Sequence, residues 1–381
     1  MNFVEEETLI PQGEYAKKLR PLLPDEAFEP DPSKLLILVI NLAILILGWA
    51  IASKLDRWPL YLLVLYLPLA LVMGNSVIVL LFSSHELMHG STIRNSPRII
   101  RAFSLLGLAM LWMPPTLWKS VHNRVHHSKT NSLADPDRNY LHEQPNNWGK
   151  GIQNLFVPSA EVNPLWLTVG MATAWGVHTF RNLTSVLLFN SESVDYVPAA
   201  FTVSAKDRRA ILGEFLAIFA IHLSIVAYLQ FDLLKLVLSY FLPIGIGYAG
   251  LIFYIYTNHM FCRMTSINDP LINSASLRVP KIFDLLHLNF SYHTEHHIFP
   301  GMNSEYYPLV RELLEIHYPG RMNLVDAGEA WRLLRTTPRH YIDENTFTDW
   351  SGEKSVTCPL SQESKSLTPK EIIDSKLVSS L

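Results

Sequence analysis

Four long apolar runs limit what this chain can fold into more than any other feature. Residues 35–52 are uncharged and bracketed by Lys34 and Lys54, and residues 59–82 are uncharged. Residues 210–231 carry one acid, Glu214, near their start, and residues 236–257 are uncharged. A hydrocarbon core about 30 Å thick takes roughly 20 residues of helix, so each run is long enough to cross it. The connections 53–58 and 232–235 are short turns, which pairs the runs into two hairpins.

Flanking charge sets the orientation. Lys17, Lys18, Arg20, Lys34, Arg94, Arg98, Arg101, Lys206, Arg208, Arg209 and Arg263 fall on one side of the spans; Lys54, Arg57 and Lys235 fall on the other. The first side is read as cytosolic, which puts both termini inside. Two shorter apolar stretches, 103–113 and 165–180, carry Trp112, Trp118, Trp166 and Trp175 in or beside them. They are read as interfacial or re-entrant helices, because one extra crossing would move later residues to the wrong face.

Composition agrees with a membrane-integrated unit. Apolar residues make up 49% of the chain and charged ones 17%, against about 25% charged in soluble domains. The net charge of -3 gives no ground for nucleic-acid binding. The two cysteines, Cys262 and Cys358, form no CxxC pair, which argues against a thiolate metal site or a disulfide framework. Glu5, Glu6 and Glu7 are unlike the basic start of a signal peptide. Residues 1–33, rich in proline, are expected to be an extended cytosolic lead-in; 34–342 the membrane unit; and 343–381, rich in Ser, Lys and Glu, a flexible tail. Gly74, Gly245, Gly247 and Gly250 in the second and fourth spans are read as helix-packing contacts rather than as room for a ligand.

The 15 histidines are clustered. H-E-L-M-H runs from His85 to His89, H-N-R-V-H-H from His122 to His126 and His127, and H-T-E-H-H from His293 to His296 and His297. Residues at i and i+4 share a helix face, so His85 and His89 are expected to point at one metal, and His122 and His126 likewise. Adjacent residues diverge by about 100° on a helix, so one of each His-His pair can serve a second metal. Eight imidazoles are too many for one ion and suit two; Fe, Zn, Cu and Ni all accept them. With four spans, all three clusters fall on one face. Of the other histidines, His142, His287, His317 and His340 are expected at the surface or as helix caps, and the mid-span His222 in an interhelical hydrogen bond. The first cluster also fits H-E-x-x-H, a zinc protease signature with Glu86 as general base. Such a protease needs three protein ligands and an open position, and has no use for two further triple-histidine clusters.

In order, the clusters are H-x3-H, H-x3-H-H and H-x2-H-H, and the chain resembles the membrane fatty acid desaturase superfamily over about residues 35–320. H-I-F-P from His297 to Pro300 is similar to the family's HHxFP ending, and H-S-K-T-N from His127 to Asn131, followed by Asp135-Pro-Asp137, to a segment many members carry after their second box. The resemblance implies an all-α fold of four spanning helices with a cytosolic helical cap. It also implies a non-haem centre of two Fe ions, O2 as co-substrate, and electrons from a small separate donor, a ferredoxin or a b-type cytochrome. Its ligands would be His85, His89, His122, His126, His127, His293, His296 and His297. Members of the acyl-CoA branch add an Asn and a His near the end of the fourth span; here Asn258 and His259 are adjacent rather than a turn apart, and His259 is the better ninth ligand. Glu86, Asn131, Asp135, Asp137, Asn258 and Glu295 are candidates to orient the imidazoles by hydrogen bonds. The third box opens with His293 where front-end desaturases have Gln, and no fused haem domain with its HPGG motif is present.

The implied reaction is desaturation of a fatty acyl chain, lipid-linked or thioester, with reduction of O2 to water. Hydroxylation or ketolation of a lipid or carotenoid by the same centre is the alternative. Abstracting hydrogen from an unactivated carbon is beyond any side chain, so a metal–oxygen oxidant has to carry it.

Overall fold

A computed structural model describes residues 8–144 and 163–361. Four of its helices are long and apolar enough to cross a membrane, covering Lys34–Arg57, Leu60–His89, Ala205–Tyr228 and Leu233–His259. The helices used below are α1 (Gln12–Leu19), α2 (Lys34–Ala52), α3 (Leu67–His89), α4 (Pro97–Ala109), α5 (Pro115–Trp118), α6 (Pro164–Thr184), α7 (Ala205–Tyr228), α8 (Leu242–His259), α9 (Lys281–Leu286), α10 (His293–Ile298) and α11 (Tyr307–His317).

Helix α2 buries Leu38, Asn41, Leu45, Gly48 and Ala52, a spacing of three or four that makes one helical face, and turns it onto α3. Its other face exposes Leu36, Ile40, Ile46 and Leu47, the side lipid would cover. Helix α3 is the central element, almost wholly buried from Met73 to Leu87. Gly90 ends it in the left-handed region, φ 79°, and its N–H closes back onto Glu86 and Leu87 carbonyls.

Helix α8 runs along α3 at close range. A Cβ on Gly247 would stand 2.6 Å from Val77 Cβ, and one on Gly74 would stand 2.6 Å from Ile246 Cγ2. Gly250 likewise faces Ile78. The packing role expected of these glycines holds for three of the four; a Cβ on Gly245 meets no described atom within 4 Å. Helix α6 packs along α8 as well, with Trp175 fully buried and its indole N–H donating to Leu111 O at 2.8 Å. His222 makes the expected interhelical bond: Nε2 donates to Ala109 O at 2.9 Å, and Nδ1 accepts from Tyr240 at 2.7 Å.

Three expectations are corrected. Residues 8–33 are not extended. Tyr15, Leu19, Leu23 and Ala27 recur every four residues and pack on Ile298, Met302, Tyr307 and Leu314, so helix α1 and the turns after it belt the third box. Tyr15 also donates to Asp269 at 2.9 Å, and Arg321 pairs with the same carboxylate at 2.6 Å. Residues 343–361 are folded rather than a tail. β4 (Thr346–Thr348) pairs antiparallel with β3 (His340–Tyr341) and β5 (Ser355–Thr357), and Phe347 and Cys358 are buried against Tyr341 and Met264. Residues 362–381 and Glu5, Glu6 and Glu7 lie outside the described residues. A second sheet joins β1 (Ser276–Arg278) to β2 (Leu324–Asp326) in parallel. Finally, His287 and His340 are buried rather than at the surface.

The glycine contacts give a paired prediction. Gly247→Ala drives a methyl into the β-branched Val77 and should destabilise the protein by about 1–3 kcal/mol, read as a lower Tm in detergent. Gly245→Ala should leave Tm unchanged; equal Tm values for the two variants would refute the close packing of α3 and α8.

Candidate metal centre

Nine imidazoles converge at the ends of α3 and α8 and divide into two groups. His85, His89, His122, His127 and His296 form one, and His126, His259, His293 and His297 the other; within each, the atoms able to ligate lie within 4.8 Å of one another. His85 and His89 come from the last two turns of α3, one turn apart, and His259 is the last residue of α8. Helix α10 carries His293 and His297 one turn apart to one group and His296 to the other.

The second box departs from the expected pairing. His122 goes with His127, and His126 goes to the other group. The cause is local backbone. Residues Lys119–His126 are π-helical, and a π turn closes at i+5 instead of i+4, which brings His122 and His127 into register. Their Nε2 atoms are 3.2 Å apart, and His127 Nε2 is also 3.2 Å from His296 Nε2.

The outer ring nitrogens are fixed by partners that say where the protons are. His126 Nδ1 faces both Asp135 oxygens at 3.0 and 3.1 Å, and His259 Nδ1 faces Asn273 O at 3.4 Å. A carboxylate and a carbonyl only accept, so both Nδ1 atoms donate and both Nε2 atoms are left as lone pairs. His296 Nδ1 meets the Tyr307 hydroxyl at 3.0 Å and His297 Nδ1 meets Thr130 at 3.3 Å. Inside, His293 Nε2 lies 2.6 Å from His259 Nε2 and 3.1 Å from His297 Nε2. Neither ring nitrogen of His85 has a hydrogen-bond partner among the described residues, nor has Nε2 of His89. With the outer Nδ1 atoms of His126 and His259 donating, their Nε2 lone pairs point inward, where a cation can accept them. The all-nitrogen donor sets therefore fit two borderline transition-metal ions.

Burial, reinforced by neighbouring imidazoles, holds the pKa values of His122, His127, His293, His296 and His297 well below the ordinary histidine value. These rings are neutral, the state a ligand needs. For His126, burial acts the same way, but the charge and hydrogen bond of Asp135 outweigh it and raise the pKa. Asp137 is opposed by burial yet held below the usual carboxylate range by His178, whose Nε2 is 2.7 Å away.

The candidate orienting residues separate by contact. Asp135 touches His126 directly and is itself held by the N–H groups of Asn131 at 2.7 Å and Asp137 at 2.9 Å. Asn131 sits in the left-handed region, φ 50°, and its amide ties to the carbonyls of Cys262 and Arg263. Glu295 turns away from the imidazoles to Arg311, at 2.6 Å, and to the Ser276 hydroxyl. Glu86 accepts from Ser91 at 2.9 Å and lies 3.6 Å from both the buried Lys34 and His85 Nδ1. A zinc protease would keep this glutamate free at a three-ligand site; here it is engaged, and His85 and His89 share their group with three imidazoles from other elements. Asn258 is fully buried with no hydrogen-bond partner for its side chain among the described residues. Sequence reading missed Tyr307, Asn273 and His178, whose only signal is proximity in the fold, and assigned no role to Thr130 although it lies in the H-S-K-T-N segment after the second box.

The family model for fatty acid desaturase matches residues 56–323. A search of curated proteins gives no match.

Asp135→Asn should weaken metal binding about 10–100-fold, as loss of a ligand's orienting partner does, read by competition with a chelator. Unchanged affinity would mean that Asp135 does not set His126.

Proposed function

The chain belongs to the fatty acid desaturase family, and on that premise we propose that it is a membrane-bound, O2-dependent desaturase acting on a fatty acyl chain at a histidine-ligated di-iron centre. One observation carries the reading: apolar side chains stand against the imidazoles, with Phe290 5.4 Å from His85 of one group and 5.4 Å from His293 of the other. Phe82, Leu288 and Phe290 line a small pocket whose other side is His85, Glu86, His296 and Tyr307. That is the juxtaposition needed to oxidise a hydrocarbon.

His85, His89, His122, His127 and His296 would hold one iron, and His126, His259, His293 and His297 the other. Bound iron supplies the oxidising power toward an unactivated C–H bond that side chains lack. The chain's own residues do the rest. Asp135, Asn273, Thr130 and Tyr307 fix ring orientation from outside. Phe82 and Phe290 stack at 3.9 Å beside His85 and give an acyl chain an apolar surface to lie on. Overall, two hydrogens leave adjacent carbons, and O2 takes them up with two electrons and two protons to form water. The electrons come from a separate small donor, a ferredoxin or a b-type cytochrome. The excess of Lys and Arg on one side of the spans supports a multi-pass topology with both termini and the centre cytosolic.

Expression in a host of known lipid profile tests the reaction. A new acyl double bond is expected, and His126→Ala should reduce its formation at least a hundredfold. A product carrying a new oxygen atom, or full activity in His126→Ala, contradicts the proposal.

A further inference from the structure

The segment between β1 and α10 has an exposed apolar face and a strained turn, and the turn lines the pocket beside the histidines. Every residue of α9 is at least partly accessible, and four are large and apolar: Ile282 is 55% exposed, Phe283 44%, Leu285 74% and Leu286 42%. Its acid, Asp284, accepts from Ser291 within the same segment.

The position of this face along the spans identifies what covers it. His287, the next residue, is buried between Tyr254 OH at 2.9 Å and Asn75 Oδ1 at 3.0 Å. Both partners belong to helices read as spans. Asn75 lies ten residues before His85, about 15 Å along a helix. The segment therefore dips from the metal centre back along α3 to a depth where the neighbouring solvent is lipid. A polar pair placed there is satisfied by His287 alone, and the apolar side chains of α9 point outward.

The turn that follows brings the chain back to the centre. Leu288 and Asn289 are both at φ 56°, a region that a leucine rarely adopts. Asn289 is anchored by its amide to Ser304 O at 2.9 Å. Leu288 and Phe290 wall the pocket that also touches His85, His296 and Tyr307. Phe290 stands 5.4 Å, ring to ring, from His85 in one imidazole group and 5.4 Å from His293 in the other. Strain of this kind is held where the surrounding structure over-determines it, commonly at ligand clamps and switches.

We propose that residues 281–290 form a lipid-inserted side door, through which the acyl chain of a membrane lipid passes laterally from the bilayer to the pocket beside His85 and His296. This rests on the acyl-oxidising reading above and narrows it from lipid or thioester to a lipid-linked chain. Helix α9 lies among the bilayer chains, the Leu288–Asn289 turn is the hinge, and the Phe82–Phe290 stack is the inner surface that the entering chain meets.

Two measurements on the full-length protein in phospholipid nanodiscs test it. In the first, Leu285→Cys is labelled with a bimane fluorophore; Cys262 and Cys358 are buried and stay unmodified. Quenching by lipids spin-labelled in the acyl chain, and not by aqueous iodide, is expected. Quenching by iodide alone would overturn membrane insertion whatever the enzyme's reaction. In the second, the nanodiscs carry phosphatidylcholine with a mid-chain diazirine, or receive the same acyl group as a soluble thioester. After illumination, adducts on Leu288, Phe290 or Tyr307 are expected from the phospholipid, and Leu285→Asp should reduce them at least fivefold. Adducts at those residues from the thioester alone would overturn lateral entry while leaving acyl oxidation standing. Adducts from neither probe would overturn the acyl reading itself.

Discussion

Gly74, Gly247 and Gly250 remove the side chains that would hold α3 and α8 apart. The two helices run parallel and finish at the same level, one with His85 and His89 and the other with His259. Their separation therefore sets the distance between the two imidazole groups. Helix α2 packs on one flank of α3 and α6 along α8, and the histidines of the second and third boxes meet those at the helix ends. A change in interhelical spacing of even a few tenths of an ångström would be transmitted directly to the centre, because close-packed interiors pass strain on rather than absorb it.

Electrostatics then decides how the centre is finished. Burying an unpaired polar group costs about 1–3 kcal/mol, and nine buried or half-buried imidazoles concentrate many such groups in one place. The outer nitrogens of His126, His259, His296 and His297 are answered by protein. The inner ones face each other at 2.6–3.2 Å, an arrangement that suits a cation between them. The belt of residues 8–33 and the Tyr15–Asp269–Arg321 contacts close the site from the side of the third box. Metal bound by these groups would therefore couple to folding.

Much of this was legible from residues alone. The spans follow from hydropathy and length, and the first and third boxes sort their histidines by simple helical arithmetic. The second box defeats that arithmetic because Lys119–His126 is π-helical, a backbone choice made by tertiary context and not by composition. Asp135 and Glu86 were among the readable candidates, and Glu86 lies 3.6 Å from His85 Nδ1; Glu295 was equally readable and turns to Arg311 instead. Thr130 reaching His297, and Asn273 reaching His259, depend on how distant or looped segments meet, which no local pattern encodes. The belt was half visible: the four-residue spacing from Tyr15 to Ala27 is present, masked by the prolines around it.

The central claim is that the two imidazole groups are two metal sites of one centre. Metal analysis of the purified protein, combined with Mössbauer spectroscopy of iron-57-enriched material, addresses it directly. The account predicts two iron ions per chain, magnetically coupled as a pair. A single zinc ion per chain, or iron present as isolated mononuclear ions, would contradict it.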